Sequence, residues 1–168
     1  WLYEKTEGDG TWYDGEYGKG YSPDYNSKVF IEEHEKVIKA LGEHFGKDGL
    51  ISYIELGSLG HWGEWHVNYS EGITRIPEEA VRNQYVMPWL EAFPSVNMLM
   101  RRPFHIAEAY GMGLYNDMTG HKKSTEEWLT WIQEGGDYGQ AEEKDALGSM
   151  PDFWKTAPSG GEFTSSVS

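Results

Sequence analysis

The sequence predicts an α/β fold in which parallel strands alternate with crossover helices. Three observations carry that prediction. Short apolar runs alternate with segments of helical periodicity over most of the chain. Polar residues gather at the carboxyl end of each expected strand. The spacing between strands leaves room for a helix each time, which parallel pairing requires.

The elements follow in order. Residues 1–25 are rich in Gly, Tyr, Trp and acid, as in Glu7-Gly-Asp-Gly-Thr-Trp-Tyr-Asp-Gly15. This composition predicts an ordered loop with a short hairpin. A connection of this length is usually functional or disordered, and its aromatics favour order. From Asn26 to Gly46, Val29, Phe30, Val37, Ile38, Leu41 and Phe45 are expected on one helical face. The apolar run Leu50–Leu56 reads as a buried strand. Pro77 with Glu78 and Glu79 opens a second helix, since proline suits the first turn and acids suit its dipole. Its expected inner face is Ala80, Val81, Tyr85, Trp89, Leu90 and Phe93, with a kink at Pro88.

Residues 96–100 form a second expected strand ending in Arg101-Arg102-Pro103, followed by a short helix over 106–110. A third strand spans 113–117. Ser124-Thr-Glu-Glu127 reads as a capping box before a helix with Trp128, Leu129 and Ile132 as core. Gly135-Gly136 ends it. A fourth strand, 156–161, leads to Glu162. The strand ends collect Glu64 and His66, then Arg101 and Arg102, Asn116 and Asp117, and Glu162. In a (β/α)8 barrel that face carries the active site. An open doubly wound sheet would also gather ligands there, but its Gly-rich phosphate fingerprint is missing.

Composition bounds the chemistry. The chain has 168 residues, which fits one domain, and 15% aromatics with 8 Trp and 11 Tyr. Many of these aromatics lie in Gly-rich loops, where a ligand surface is a better use than a core. The net charge of −14 argues against nucleic acid or an anionic membrane as partner, because both need a basic footprint. No cysteine is present, so disulfides, thiolate catalysis and Cys-ligated zinc are excluded. No apolar run reaches the length of a membrane span.

The most informative stretch is Tyr53-Ile-Glu-Leu-Gly-Ser-Leu-Gly-His-Trp-Gly-Glu-Trp-His66. It sets Glu64 between Trp62 and Trp65 and beside His61 and His66. Indole faces stack on sugar rings, and apolar walls raise a carboxyl pKa toward general-acid duty. Glycoside hydrolysis needs a second carboxylate, for which Gly160-Gly-Glu162 is the candidate. Arg101, Asn116 and Asp117 are candidate hydroxyl ligands, and Trp12, Tyr13 and Tyr21 a candidate stacking platform. Two alternatives stand beside hydrolysis: a non-catalytic carbohydrate-binding barrel, and a metal-dependent hydrolase using His61, Glu64 and His66, whose spacing does not match the helical His-Glu-x-x-His signature.

That stretch resembles a glycosidase-like TIM-barrel family, largely of unknown function. Ser22-Pro-Asp-Tyr25, Asn116-Asp117 and Gly160-Gly-Glu162 fit the same pattern, so the likeness runs from about residue 20 to 162. The arrangement is also similar to the retaining glycoside hydrolases of the large barrel clan. That resemblance implies Glu64 as general acid/base after strand four and Glu162 as nucleophile after strand seven, with Trp62, Trp65 and His66 shaping the subsite. It implies no cofactor. Gly63 stands where the clan usually has Asn. Counted this way, residues 26–162 cover about strands four to seven, preceded by the loop 1–25 and followed by a tail, 163–168. A full barrel typically needs ~250 residues. The expectation is therefore one segment of a larger barrel polypeptide, or a chain whose strand edges another chain covers. An extracellular or periplasmic setting suits the proposed substrate.

Overall fold

The computed structural model describes residues 1–164; most of the tail expected at 163–168 lies outside the described residues. The elements run α1 (Leu2–Lys5), β1 (Gly10–Gly15), β2 (Gly18–Pro23), α2 (Lys28–Phe45), β3 (Tyr53–Glu55), α3 (Glu79–Ala92), β4 (Asn97–Met100), α4 (His105–Ala109), β5 (Gly113–Thr119), α5 (Lys122–Glu134) and β6 (Ser159–Phe163). They fall into two compact units. The first holds residues 1–50, 57–94 and 139–143; the second holds 51–56, 95–138 and 144–168. No described helix is long and apolar enough to cross a membrane.

In the second unit, β3, β4, β5 and β6 form one parallel four-stranded sheet in that order. Each neighbour in sequence is a neighbour in space, and the sheet curls as half of a barrel wall would. The alternation of strands and helices is thus borne out as a mixed α/β fold. The strand bounds shift. β3 is only three residues long, and Leu50 is largely exposed rather than buried. β3 pairs on one side only among the described residues, so its faces are less covered than those of a central strand. β4 is the central case, with Met98, Leu99 and Met100 all buried. β6 begins three residues later than expected. Its glycines have a packing reason: a Cβ on Gly160 would meet Leu99 Cδ2 at 2.7 Å and press on the Glu55 carboxylate, and Gly161, at φ 127°, lies against the Asn116 backbone.

α5 starts two residues before the expected capping box. His121 is its cap, with its Nδ1 accepting from the Ser124 amide at 3.3 Å. Trp128 and Ile132 are buried as expected, but Leu129 is about half exposed. Trp128 Nε1 donates to the Arg101 carbonyl at 3.3 Å, which ties the helix to the end of β4.

In the first unit, α2 packs on α3 along a face only partly the one expected, with Phe30 and Ile38 inward as expected. Val29, Val37 and Phe45 are exposed, and Ile38 is buried. The inner face instead runs Phe30, His34, Ile38 and Gly42, an i, i+4 series. A Cβ at Gly42 would sit 2.7 Å from the Ala92 carbonyl oxygen, so the two helices approach as closely as glycine allows. On α3, Ala80 is exposed, whereas Arg82, Tyr85 and Val86 are buried. Arg82 is held there by Glu143 at 2.7 Å and by the Pro77 carbonyl at 2.9 Å. α3 continues past Pro88 to Ala92. Before α2, β1 and β2 form the expected antiparallel hairpin, Trp12 opposite Tyr21 and Tyr13 opposite Gly20.

Candidate functional site

The segment Gly60–His66 folds into a tight backbone knot. Gly60, Trp62, Gly63 and Trp65 all have positive φ, at 84°, 54°, 78° and 60°. Two of the four are tryptophans, for which this region is unfavourable by ~1–2 kcal/mol each. A ladder of short bonds holds the knot. His61 N donates to His66 O at 2.8 Å, Trp65 N to Leu59 O at 2.8 Å, and Glu64 N to His61 O at 2.9 Å. Gly60 N donates to the Tyr25 hydroxyl at 3.1 Å. A Cβ at Gly60 would collide with the His66 backbone. Gly60 is therefore a steric requirement of the turn, and Gly63 suits its positive φ.

The knot sends its two indoles to opposite fates. Trp65 is 0% exposed and anchors the turn, whereas Trp62 is 67% exposed. Around Trp62 lies an aromatic cluster. Its ring is 5.6 Å from Tyr17, 5.7 Å from His61 and 5.6 Å from His66. Tyr13 meets His61 edge-on at 5.3 Å. A cavity of about 540 Å³ opens here, walled by Tyr17, Trp62, His61, His66, Glu71 and Gln140 among others. Its polar groups include the Glu71 carboxylate, whose Oε1 accepts from Asn68 Nδ2 at 2.7 Å. Gln140 Oε1 accepts from the Val67 amide at 2.7 Å, which fixes that wall.

The hairpin supplies Tyr13 and Tyr17. Trp12 and Tyr21 sit opposite each other on the other face of the ribbon, as strand alternation demands. Their rings lie 5.3 Å apart, and Tyr3 packs on Trp12 at 5.8 Å and on Tyr21 at 5.3 Å. Tyr21 also donates to the Asp9 carbonyl at 2.7 Å and lines a smaller hollow of about 200 Å³ beside His61 and Trp62. Tyr13, one position along, faces the knot, and Gly20 across from it leaves room for its ring.

Glu64 is not among the residues lining the larger cavity. Its side chain is about one-third exposed, and Oε2 lies 3.4 Å from His66 Nε2. The carboxylate thus sits beside an imidazole that does reach the cavity. Behind the knot, Ser58 Oγ is pinned by His34 Nε2 at 2.9 Å and by Trp89 Nε1 at 3.0 Å. Burial pushes the His34 pKa down to about 4, so this imidazole is neutral near pH 7. Burial moves the Tyr25 hydroxyl the other way, raising its pKa. Among the described residues no group of three or more His, Asp or Glu side chains converges as a metal ion would require.

The remaining predicted residues lie in the second unit. Arg101 grips Asp117 with two bonds, Nε–Oδ1 at 2.8 Å and Nη2–Oδ2 at 2.6 Å, and Arg101 is almost wholly buried. Arg102 is buried too, its guanidinium 4.6 Å from the Trp131 ring centre and 5.6 Å from that of Tyr138. Burial is the main cause of its lowered pKa. Asn116 is buried and bonds locally, Nδ2 to Thr119 Oγ1 at 3.3 Å and Oδ1 from Met118 N at 3.3 Å. Glu162 is exposed on β6.

Sequence reasoning missed Tyr17, Tyr69 and Glu71 in the cavity wall, and His34 and Ser58 behind the knot. The signal available for Tyr17 was its place at the tip of a Gly-flanked hairpin. Glu55 was also missed. Its carboxylate crosses the sheet to Gly160, two residues before Glu162. Comparison with family models, curated proteins and solved structures finds no match for this chain.

Proposed function

We propose that the chain is a segment of a glycosidase-like (β/α)8 barrel that binds a poly- or oligosaccharide at the aromatic mouth of its first unit. The observation that carries the reading is Trp62. It is a large apolar ring on an unfavourable left-handed backbone, turned to solvent at the wall of a 540 Å³ cavity. Strain and exposure together are uneconomical for a merely structural indole, and such outliers cluster at binding sites. Sugar rings present axial C–H faces that stack on indole, and their hydroxyls suit imidazole, carboxylate and amide partners. His61, His66, Glu71 and Gln140 supply those partners.

In the hydrolytic form of this proposal, Glu64 is the general acid/base and Glu162 the nucleophile. Glu64 would protonate the glycosidic oxygen while Glu162 attacks the anomeric carbon. Water, deprotonated by Glu64, would then release the glycosyl ester. The remaining strands come from a longer barrel polypeptide or from another chain covering the open edges of β3 and β6. An extracellular or periplasmic location belongs to the same proposal.

Release of reducing ends from a panel of oligosaccharides tests hydrolysis. Glu64→Gln and Glu162→Gln should each lower turnover by at least ~10²-fold, with sugar binding retained. Unchanged turnover in either variant removes that residue from the mechanism. A second reading, binding without cleavage, is favoured by one observation: Glu64 contacts His66 rather than lining the cavity. Binding with no turnover in the wild-type protein would select it.

A further inference from the structure

We propose that the cavity of the first unit selects a positively charged amino sugar, such as a glucosamine unit with a free ammonium, over neutral and acidic sugars. The inference rests on the carbohydrate reading above and narrows its ligand class.

Two independent features of the wall favour a cation. The first is aromatic. Tyr17 is 82% exposed and Trp62 67% exposed, and both line the cavity. An ammonium over such a ring is attracted by its quadrupole. The neighbouring ring of Tyr69 already carries a cation: the Arg75 guanidinium lies 4.1 Å from its centre, held by a bond from Arg75 Nε to the Gly139 carbonyl at 3.1 Å. Tyr17 and Trp62 offer further ring faces of the same kind to the cavity.

The second feature is charge. Glu16 and Glu71 contribute carboxylates to the lining, and the lysine there, Lys19, is tied to Asp14 at 2.9 Å. With Asp14 beside it, that one ammonium is outnumbered by carboxylates. Asn68 donates to Glu71 Oε1, which orients that carboxylate. His61 and His66 face the same space; as neutral imidazoles they pair with hydroxyls, and as imidazolium ions they would oppose an ammonium. A uronate would meet two carboxylates in a chain of net charge −14. A neutral sugar would gain the stacking alone.

The test is titration of the full chain, near neutral pH and low salt, with four oligomers of equal length. These are the free glucosamine oligomer, its N-acetylated counterpart, a β-1,4-glucose oligomer and a galacturonate oligomer. Acetylation removes the charge but adds an acetyl group, and glucose carries a hydroxyl in its place, so only a preference over both neutral oligomers reports the ammonium. The glucosamine oligomer should bind about tenfold tighter than either neutral one, and galacturonate weakest. Glu71→Gln and, separately, Glu16→Gln should each shrink that preference to about threefold or less, with the melting temperature unchanged. Glu16 is exposed on the hairpin, so its variant stays informative if Glu71→Gln perturbs the fold. Equal or tighter binding of the neutral oligomers, or a preference that survives both variants, overturns the amino-sugar inference and leaves the carbohydrate reading standing. Binding of none of the four overturns both.

Discussion

The Gly60–His66 knot and the Arg101–Asp117 cluster both bring polar and aromatic groups to the end of an apolar run, yet they use them in opposite ways. In the cluster, charge is consumed internally: Arg101 is buried and bonds both Asp117 oxygens, and Arg102 stacks on Trp131. Asn116 closes its own turn. In the knot, the backbone is closely hydrogen-bonded and Trp65 is buried, but Trp62 turns outward above a cavity. A cluster that satisfies itself stabilises a sheet end. A strained turn that leaves an indole in water is kept for something else. Under the proposed function, that difference separates binding chemistry from scaffold where composition alone does not.

That contrast can be broken by substitution, and the largest effect should come from the knot's buried half. Trp65→Ala removes a fully buried indole and should cost about 3–5 kcal/mol in chemical denaturation. Loss of less than ~1 kcal/mol would mean that the turn does not depend on its anchor. Next in size, Arg101→Ala leaves a half-buried carboxylate without its partner and should cost about 3 kcal/mol. A double-mutant cycle with Asp117→Ala measures the coupling; near-zero coupling would remove the contrast with the knot. Gly60→Ala should cost about 2–3 kcal/mol, because positive φ and contact with the His66 backbone both oppose a Cβ.

Smaller effects sharpen the picture. His34 has a folded pKa of about 4, below the ~6.5 of an unfolded histidine. The unfolded chain therefore binds the extra proton first. The contribution is intact above ~6.5 and is lost as pH falls toward ~4. On the order of 1–2 kcal/mol is expected, allowing for partial exposure. His34→Gln should flatten that stretch of the stability-versus-pH curve; an unchanged slope assigns it to other groups. Smallest is Trp62→Gly, which relieves a left-handed tryptophan and should raise stability by about 1 kcal/mol. A destabilised variant would show Trp62 to be part of the core after all.

The alternation of strands and helices was legible because parallel pairing forces apolar runs and helical stretches to take turns. β4 and β5 followed their apolar runs, and the hairpin followed its glycines. The face of α2 was legible only in Phe30 and Ile38, because the rest of its contact surface is His34 and Gly42, residues that hydrophobic periodicity does not count; close approach to Ala92 selects glycine there. Leu129 was misread as core for a related reason, since adjacent apolar residues in a helix cannot both face one partner. Among the expected site residues, the structure brings Trp62, His61 and His66 of the motif side by side. Tyr17 and Glu71 come from stretches distant in sequence, so only folding brings them to the cavity. Arg101 and Asp117 looked like ligands, but their spacing could not reveal that they satisfy each other.

The most direct test of the central claim is an oligosaccharide titration comparing the wild-type chain with Trp62→Gly, with thermal melting run on both. The account predicts affinity lowered at least ~10-fold in the variant while its melting temperature holds or rises. Equal affinity in a folded variant, or no sugar binding by the wild-type protein, would contradict it.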